Sequence, residues 1–279
     1  MIHLSQFSGG ATSWKVTKDL VSVYGKDNVK ALFTDTLIED EDLYRFNRES
    51  IDKLGIELIT LTDGRTPWEV FKDARWIGNS QVAQCSHELK QKMARLWVKE
   101  NYSPDEVILY FGIDWTEIHR VKKITEHWAP YKCEFPLTEP PYLSKQDIFR
   151  EMKNDGLRKP RLYDLGFTHN NCGGFCVRAG KGHFINLLKQ KRELYLHHEN
   201  EEQKMREYLG RDDVSILSNS EFSHYKLKEV DGELEKVAVY KKTPITLREL
   251  RLEWENGLGM QMDMDDIGGC GCYTDYATA

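Results

Sequence analysis

The 279-residue sequence contains no apolar run that approaches the roughly 20 residues of a membrane-spanning helix. It also has no excess of positive charge, because 39 Lys and Arg residues stand against 45 Asp and Glu residues and give a net charge of −6. A strongly cationic protein that binds nucleic acid regardless of sequence is therefore not expected, although a local basic face is compatible with this charge. The segment Met1 to Phe7 lacks a secretory signal pattern, so we expect a cytoplasmic protein without a membrane anchor.

Six cysteines are present, and a chain of this length does not need them as disulfide cross-links. It is long enough to bury a hydrophobic core of its own. In the reducing cytosol, cysteines more often bind a metal or take part in chemistry. The cysteines are therefore candidates for a functional site.

Short apolar strands alternate with helices in the first half of the chain, which predicts an α/β fold with a parallel twisted sheet and helices on both faces. The predicted strands are Ile2–Phe7, Val29–Phe33, Ile56–Leu61 and Val107–Phe111. Ligands of such sheets bind beyond the carboxyl ends of the strands. Breaker-rich segments near residues 129–141 divide a nucleotide-binding domain, residues 1–140, from a mixed C-terminal extension, residues 141–279, with a β-hairpin at Asp231-Gly232.

A glycine-rich loop, Phe7-Ser8-Gly9-Gly10-Ala11-Thr12-Ser13, joins the first strand to the first helix. Adjacent glycines let a ligand approach the backbone, and the helix N-terminus offers unpaired N–H groups and a partial positive charge. With the added hydroxyls, the loop predicts an anion site, most commonly for phosphate. It lacks the Gly-Lys-Ser/Thr ending of a Walker A loop and the G-x-G-x-x-G fingerprint of dinucleotide sites. A tight turn without a ligand is the alternative.

Two later segments also follow predicted strands. They are Phe33-Thr34-Asp35-Thr36 and Gly112-Ile113-Asp114-Trp115-Thr116-Glu117-Ile118-His119-Arg120. With the S-G-G-x-x-S loop, in this order along the chain, they resemble the motifs of the PP-loop adenine nucleotide alpha hydrolases, or N-type ATP pyrophosphatases. The likeness is to the phosphoadenylylsulfate reductase-like branch and covers residues 1–140.

The resemblance implies a Rossmann-like PP-loop fold that binds ATP over the sheet and cleaves it between the α- and β-phosphates. The products would be an adenylated acceptor and pyrophosphate, with Mg²⁺ neutralising the triphosphate. The implied nucleotide-binding residues are Ser8, Gly9, Gly10, Thr12, Ser13, Asp35, Thr36 and Gly112. Glu117 and Arg120 are implied to contact the nucleotide or the acceptor.

Cys85 lies at the start of a predicted helix that extends from Gln84 to Lys99. A helix N-terminus favours the thiolate form of a cysteine, which makes Cys85 a candidate catalytic thiol. The spacing C-x-x-x-L-K, ending at Lys90, resembles a Cys…Lys element of PP-loop enzymes in which the lysine reaches the nucleotide or acceptor. A half-buried structural cysteine is the alternative.

Two further cysteine pairs lie far apart in the sequence. Cys172 and Cys176 flank Gly173-Gly174-Phe175, and the tail carries Cys270-Gly271-Cys272. Four thiolates suit Zn²⁺ or an iron–sulfur cluster, so a single centre is predicted to close the extension. The resemblance favours a [4Fe–4S] cluster, although the spacings differ from those of adenylylsulfate reductases and the E-C-G-x-H tail is missing. Structural zinc and independent thiols are the alternatives.

Basic and aromatic residues are interleaved around the first cysteine pair. They are Arg158, Lys159, Arg161, Arg178, Lys181, His183, Lys189, Lys191 and Arg192, with Tyr163, Phe167, Phe175 and Phe184. Such a mixture could hold the backbone and an exposed base of tRNA or DNA, or form an ordinary helix face over core aromatics. His197 and His198 are predicted to be exposed.

These patterns favour an ATP-dependent enzyme that adenylates an acceptor for sulfur transfer to a nucleic acid or a small metabolite, with a sulfur donor protein as a partner. Cys85, Lys90, Glu117 and Arg120 are its predicted catalytic residues. A sulfonucleotide reductase, which would form no pyrophosphate from ATP, is the second hypothesis. A nucleotide-binding module without turnover is the third.

Overall fold

The computed structural model describes residues 1–230 and 233–257. Its centre is a five-stranded parallel sheet with the strand order β3-β2-β1-β4-β5. The strands are β1 (Ile2–Gln6), β2 (Val29–Asp35), β3 (Glu57–Thr62), β4 (Val107–Phe111) and β5 (Lys132–Glu134). The predicted α/β class with a parallel sheet is therefore confirmed.

Helices surround this sheet and continue into the C-terminal half. They are α1 (Ala11–Tyr24), α2 (Glu41–Leu54), α3 (Pro67–Ala74), α4 (Gln84–Ser86), α5 (Met93–Asn101), α6 (Val121–Trp128), α7 (Lys145–Asn154), α8 (Arg161–Asp164), α9 (Lys181–Gln190), α10 (Arg192–Leu209) and α11 (Leu247–Glu255). A π-helical turn, His87–Lys92, joins α4 to α5. The predicted helix over residues 84–99 is thus present, but it is interrupted.

The sheet has a hydrophobic core on each face. Helices α1, α2 and α7 pack on one face, where Trp14, Phe46 and Met152 are buried. Helices α5 and α6 pack on the other, where Val98 and Trp128 are buried. Successive strand residues point to opposite faces, so both cores are built from the same strands. The prediction of helices on both faces is confirmed.

A third core lies in the C-terminal half and includes one helix from the N-terminal half. Phe71 of α3 is buried together with Phe184 of α9, Tyr195 of α10 and Leu247 of α11. Helix α7, which follows the predicted boundary at residue 140, packs instead on the sheet. The two halves of the chain therefore share their cores. Within the described residues, no helix is both long enough and apolar enough to cross a membrane.

The last sheet is an antiparallel hairpin of β6 (Leu217–Val230) and β7 (Glu233–Ile245). It is longer than the hairpin expected over residues 229–240, and its predicted turn, Asp231-Gly232, lies outside the described residues. Buried Glu202 of α10 fixes the base of the hairpin, because its carboxylate accepts hydrogen bonds from Ile216 N at 2.9 Å and Leu247 N at 2.6 Å. Burial raises the pKa of Glu202 to about 7.

His198 is buried, contrary to the predicted exposure of both neighbouring histidines, whereas His197 is exposed. The His198 ring stacks on Phe175 at 3.6 Å between centroids, and its Nδ1 accepts a hydrogen bond from Trp68 Nε1 at 3.0 Å. Burial lowers the pKa of His198 to about 3. The sequence pattern of α10 did not distinguish the two because they are adjacent in a helix rich in charged residues.

We expect the neutral His198 ring to make folding pH-dependent. Because the folded pKa lies below the unfolded value of about 6.5, its contribution is present above pH 6.5 and is lost as the pH falls. From pH 7 to pH 5 the stability advantage of wild type over His198→Gln should shrink by about 2 kcal/mol, measured as urea unfolding free energies. The matched variant His197→Gln should show no such change, and equal pH profiles for the two variants would contradict this account.

Candidate nucleotide and thiol sites

The glycine-rich loop lies where the order of the sheet reverses. Strand β1 has β2 on one side and β4 on the other, so the connections leave in opposite directions at this point. Ligands of open α/β sheets bind at such a switch point, beyond the carboxyl ends of the strands. The predicted phosphate loop follows β1, and Gly112 follows β4, so both segments lie at the expected edge.

Two glycines are required by the geometry of this site, Gly9 in the loop and Gly112 directly after β4. Gly9 has a φ of +74°, and a Cβ at this residue would lie 2.7 Å from Asn47 Oδ1. At Gly112, a Cβ would lie 2.6 Å from the backbone nitrogen of Ser13. Gly112 therefore allows the end of β4 to approach the first turn of α1. This brings the predicted segment 112–120 against the phosphate loop.

Serine side chains order the loop from within. Ser13 Oγ accepts a hydrogen bond from Gly10 N at 3.2 Å and contacts Gly10 O at 3.0 Å. Ser8 Oγ donates to Ser13 Oγ at 3.3 Å. The backbone nitrogen of Ala11 donates to Tyr163 Oη at 3.0 Å, so a side chain of the C-terminal half closes one side of the loop.

The loop and the segment after β4 line one cavity. Seven predicted residues contribute to it: Ser8, Gly10, Thr12, Ser13, Gly112, Glu117 and Arg120. We call this the phosphate cavity. Gly9 lies in the loop behind it. These residues come from two segments about a hundred positions apart, so their convergence is a property of the fold.

Charged groups of both signs face the phosphate cavity. Arg120 is buried and forms an ion pair with Glu117, and its Nε has no hydrogen-bond partner within the described residues. Lys145, at the start of α7, also lines the cavity and donates to Thr168 O at 2.7 Å. The carboxylate of Asp114 caps the turn that carries Arg120, accepting from Thr116 N at 2.9 Å. The cavity therefore offers two cations and two carboxylates.

Three adjacent residues that the sequence pattern did not assign also line this cavity: His169, Asn170 and Asn171. Asn170 Nδ2 donates to Gly9 O at 2.8 Å, whereas its buried Oδ1 has no partner in the described part of the chain. Both amide atoms of Gln6, at the end of β1, are also buried and have no partner within the described residues. Burial lowers the pKa of His169 to about 3, so the ring is neutral. Buried amide atoms such as those of Gln6 and Asn170 Oδ1 are normally hydrogen-bonded, so they require water or a ligand as partner.

Asp35 and Thr36 do not line the phosphate cavity. Asp35, at the end of β2, accepts a hydrogen bond from the hydroxyl of Tyr44 at 2.9 Å and from Leu37 N at 2.8 Å. Thr36 is buried and contacts Glu39 Oε1 at 2.9 Å. Their predicted contact with a nucleotide stays a prediction.

A second, smaller cavity brings two separate predictions together. It is lined by Cys85 and Lys90, the proposed catalytic pair, and by Cys172 and Cys176, half of the proposed metal centre. Thr36 also lines it. We call this the thiol cavity. The sequence placed these cysteines in unrelated motifs, and the fold collects three of them at one place.

Lys90 belongs to the π-helical turn, and its side chain lines the thiol cavity. Its side chain is almost buried, with Nζ 3.4 Å from Glu39 Oε1 and 3.8 Å from Cys172 Sγ. The Glu39 side chain is 1% exposed, and its other oxygen accepts a hydrogen bond from Cys172 N. π-Helical turns are frequent at functional sites. Glu39, which the sequence analysis missed, thus links Lys90 to the backbone of Cys172.

Residues 169–176 form the wall between the two cavities, since His169 lines the first and Cys172 the second. The wall has an unusual backbone: φ is +50° at Cys172 and +62° at Gly173. A Cβ at Gly173 would lie 2.6 Å from Ile38 O. Lys191 Nζ holds the wall by donating to Gly173 O at 3.1 Å and to Asp40 at 2.5 Å. A strained, tightly held segment of this kind is typical of functional sites.

The predicted four-cysteine centre lies partly outside the described residues. Cys172 and Cys176 share the thiol cavity, but Cys270 and Cys272 belong to residues 258–279, which are not described. Over residues 1–230 and 233–257, no group of three or more His, Cys, Asp or Glu side chains is arranged to hold a metal ion. The two described thiols alone do not make a metal site.

The basic and aromatic segment does not form an open stacking surface. Phe167, Phe175 and Phe184 are buried in the third core, and Tyr163 contacts the phosphate loop. Several of its cations are engaged within the chain: Arg161 and Lys191 with Asp40, Arg158 with Asp42, Lys159 with Asp164, and Arg192 with Glu255. The alternative of a charged helix face over core aromatics accounts for these residues.

Comparison with known proteins gives a structural likeness alone. No protein-family model matches the chain, and no curated protein matches its sequence. Among the solved structures that match, the chain is similar to the crystal structure of phosphoadenylyl-sulfate (PAPS) reductase from Candida auris in a phosphate complex, with 18% sequence identity and a TM-score of 0.42 over 59% of this chain and 78% of that one.

Proposed function

We propose that this protein is a PP-loop enzyme that binds ATP with its phosphates in the phosphate cavity and transfers the adenylyl group to an acceptor. The observation that carries the proposal is the convergence of the loop at residues 8–13 and the segment 112–120 on one cavity at the switch point of the sheet. Cleavage of ATP between the α- and β-phosphates comes from the sequence resemblance.

The phosphate cavity has the chemistry to hold a triphosphate. The hydroxyls of Ser8, Thr12 and Ser13 line it, and helix α1 directs its N-terminus to the same place. Arg120 and Lys145 supply positive charge in a mostly buried setting, where an ionic hydrogen bond to phosphate is stronger than in water. Both amide atoms of Gln6 and the Oδ1 atom of Asn170, which have no partner within the described residues, would gain partners from a bound nucleotide.

Two carboxylates of the cavity fit the predicted Mg²⁺. Asp114 and Glu117 both line it, and Mg²⁺ is usually held by one or two carboxylates together with substrate phosphates. Bound there, the ion would neutralise charge on the phosphates. In the transfer itself, a nucleophilic atom of the acceptor attacks the α-phosphorus, the bond to the bridging oxygen breaks, pyrophosphate leaves, and the acceptor proton passes to solvent.

The thiol cavity supports the sulfur-transfer part of the proposal. Cys172 lies one residue beyond Asn171, which lines the phosphate cavity, so an acceptor activated in one cavity would be close to a thiol in the other. Lys90 Nζ lies 3.8 Å from Cys172 Sγ, and reactive cysteines commonly have a cation beside them. On this geometry Cys172 joins Cys85 as a candidate thiol. A sulfur donor protein, a nucleic-acid acceptor and a cytoplasmic location remain part of the proposal.

A [4Fe–4S] cluster or Zn²⁺ held by Cys172, Cys176, Cys270 and Cys272 is also proposed. Thiolates are suitable ligands for either, and the cluster is preferred on the sequence resemblance. Anaerobically purified protein should contain about four irons and four acid-labile sulfides per chain. One zinc without sulfide would instead make the centre structural. Protein that contains neither iron nor zinc would refute the four-cysteine centre.

The function is tested by following the products of ATP with α-labelled phosphate and Mg²⁺, in the presence of tRNA, of duplex DNA or of amino acids. The proposal predicts pyrophosphate together with a labelled acceptor in one of these mixtures. Release of sulfite from PAPS by a dithiol, without pyrophosphate from ATP, would favour a sulfonucleotide reductase. Tight nucleotide binding with neither product would favour a binding module.

We expect Arg120→Met to weaken ATP binding roughly 10- to 150-fold, because a hydrogen bond to a charged group contributes about 1.5–3 kcal/mol. Isothermal titration calorimetry measures the change. The matched variant is Arg150→Met. Like Arg120, Arg150 pairs with an acidic residue three positions earlier in the chain, but it lies on the surface and outside the cavity. This variant should bind ATP like wild type, and equal affinities for both variants would contradict the assignment of Arg120.

A further inference from the structure

The β6–β7 hairpin extends as an arm with an uncovered apolar face. Its base is anchored, since Leu217 and Ile245 are buried in the third core. Beyond the base, every side chain from Ser220 to Leu227 is exposed. A two-stranded hairpin on its own is only marginally stable in water and needs a further strand or a packing partner. Within the described residues, the arm has no such partner.

The register of the two strands places the large apolar side chains on one face. Phe222 pairs with Tyr240, and Tyr225 pairs with Ala238 after a bulge at Ser223. Ring contacts of 5.0 Å between Phe222 and Tyr225 and 6.1 Å between Phe222 and Tyr240 agree with this arrangement. The exposed apolar members are Phe222 (54%), Tyr225 (62%), Leu227 (63%), Leu234 (70%) and Tyr240 (55%). We call this set the arm face.

We propose that the arm face binds the arm face of a second copy of this chain, in an antiparallel arrangement about a twofold axis at Tyr225. The pairs on this face run from Ser220 with Lys242 at the base to Glu229 with Leu234 near the tip, and Tyr225 with Ala238 lies midway. When two arms cross in opposite directions, the Ser220–Lys242 pair of each copy lies over the Glu229–Leu234 pair of the partner, so Lys242 can reach Glu229. Lys236, which pairs with Leu227 on the same face, then lies over the Phe222 and Tyr240 rings of the partner, and the patch is complementary to itself.

The area of the arm face fits a weak dimer. Aromatic side chains bury about 150–250 Å² each when fully covered, so the three on this face, each more than half exposed, would lose roughly 350 Å² per copy. With the two leucines, two copies together reach about 1,000 Å², the lower limit for a specific interface. Single-stranded nucleic acid fits less well, because two leucines lie on the face and the arm carries Glu221, Glu229 and Glu235 besides its lysines.

The association is measured by sedimentation equilibrium of the full chain at concentrations up to about 100 µM, which covers a micromolar dissociation constant. Wild type is expected to dimerise. Tyr225→Arg places two like charges at the axis and should give a monomer with unchanged ATP affinity. Unchanged ATP affinity also serves as the test that the variant is folded.

A charge exchange tests the orientation of the two arms. Lys242→Glu and Glu229→Lys each bring like charges together and should weaken the dimer, whereas the double variant should restore it. A wild-type monomer at the highest concentration, or a Tyr225→Arg dimer as stable as wild type, would overturn the proposal. So would a monomer that binds a labelled single-stranded oligonucleotide through the same residues, which would assign the arm to nucleic acid.

Discussion

Gly112→Ala is expected to weaken ATP binding about 100-fold while the protein still folds. The added Cβ would lie 2.6 Å from Ser13 N and 2.8 Å from Ser13 Cα, both of which belong to the backbone of the phosphate loop. The loop must then move away from β4, and a shift of about 1 Å at a binding site is enough for a loss of about 100-fold. Calorimetric titration with ATP measures the effect.

Gly78→Ala is the matched control for this substitution. Its Cβ would also meet atoms at 2.6 Å, but these belong to the ring of Phe71 in the third core, away from the phosphate cavity. This variant should lower the unfolding free energy by about 1–3 kcal/mol through overpacking and leave ATP affinity unchanged. If Gly112→Ala bound ATP like wild type, the phosphate loop would not be the binding site.

Lys90→Met should cost about 3–5 kcal/mol of unfolding free energy, because it leaves the buried carboxylate of Glu39 without its positive partner. The side chains of the pair are 9% and 1% exposed, so water does not replace the lost interaction. The wall between the cavities should loosen as well, since Glu39 also accepts the hydrogen bond from Cys172 N. Urea unfolding at pH 7 measures the change.

Lys92→Met provides the comparison, since Lys92 lies on the same π-helical turn but is half exposed, with Glu88 as its partner. A surface pair of this kind contributes less than about 1 kcal/mol. Adding Glu39→Gln to Lys90→Met should recover part of the lost stability, because the uncompensated charge is removed. Equal effects of the two lysine substitutions would show that Lys90 and Glu39 are not a buried pair.

The sheet and the phosphate loop could be predicted because their signals are local. Each strand of the first half is a short apolar run closed by polar or glycine residues, and the anion site depends on the loop and the helix that follows it. Gly112 and Arg120 could be added because their segment follows another strand of the same sheet. Parallel strands have their carboxyl ends at one edge of the sheet, so motifs that follow neighbouring strands lie close together in space.

The thiol cavity and the wall could not be predicted in the same way. Cys85 and Cys172 line one cavity only in the folded chain, where Lys90 of the π-helical turn and Glu39 of the loop after β2 both contact Cys172. The roles of Asn170 and Glu39 depend on contacts more than 100 residues away in the sequence. His198 was misjudged for a related reason: a short polar neighbourhood does not reveal that Phe175 and Trp68 cover the ring.

Hydrogen–deuterium exchange of the full chain with and without ATP and Mg²⁺ reports where the nucleotide binds. ATP is expected to slow exchange in three separate segments: the loop and first turn at residues 8–16, the segment 112–120, and the wall at residues 169–176. Protection confined to other regions, such as residues 75–81 and 211–218 at the base of the arm, would contradict this binding site.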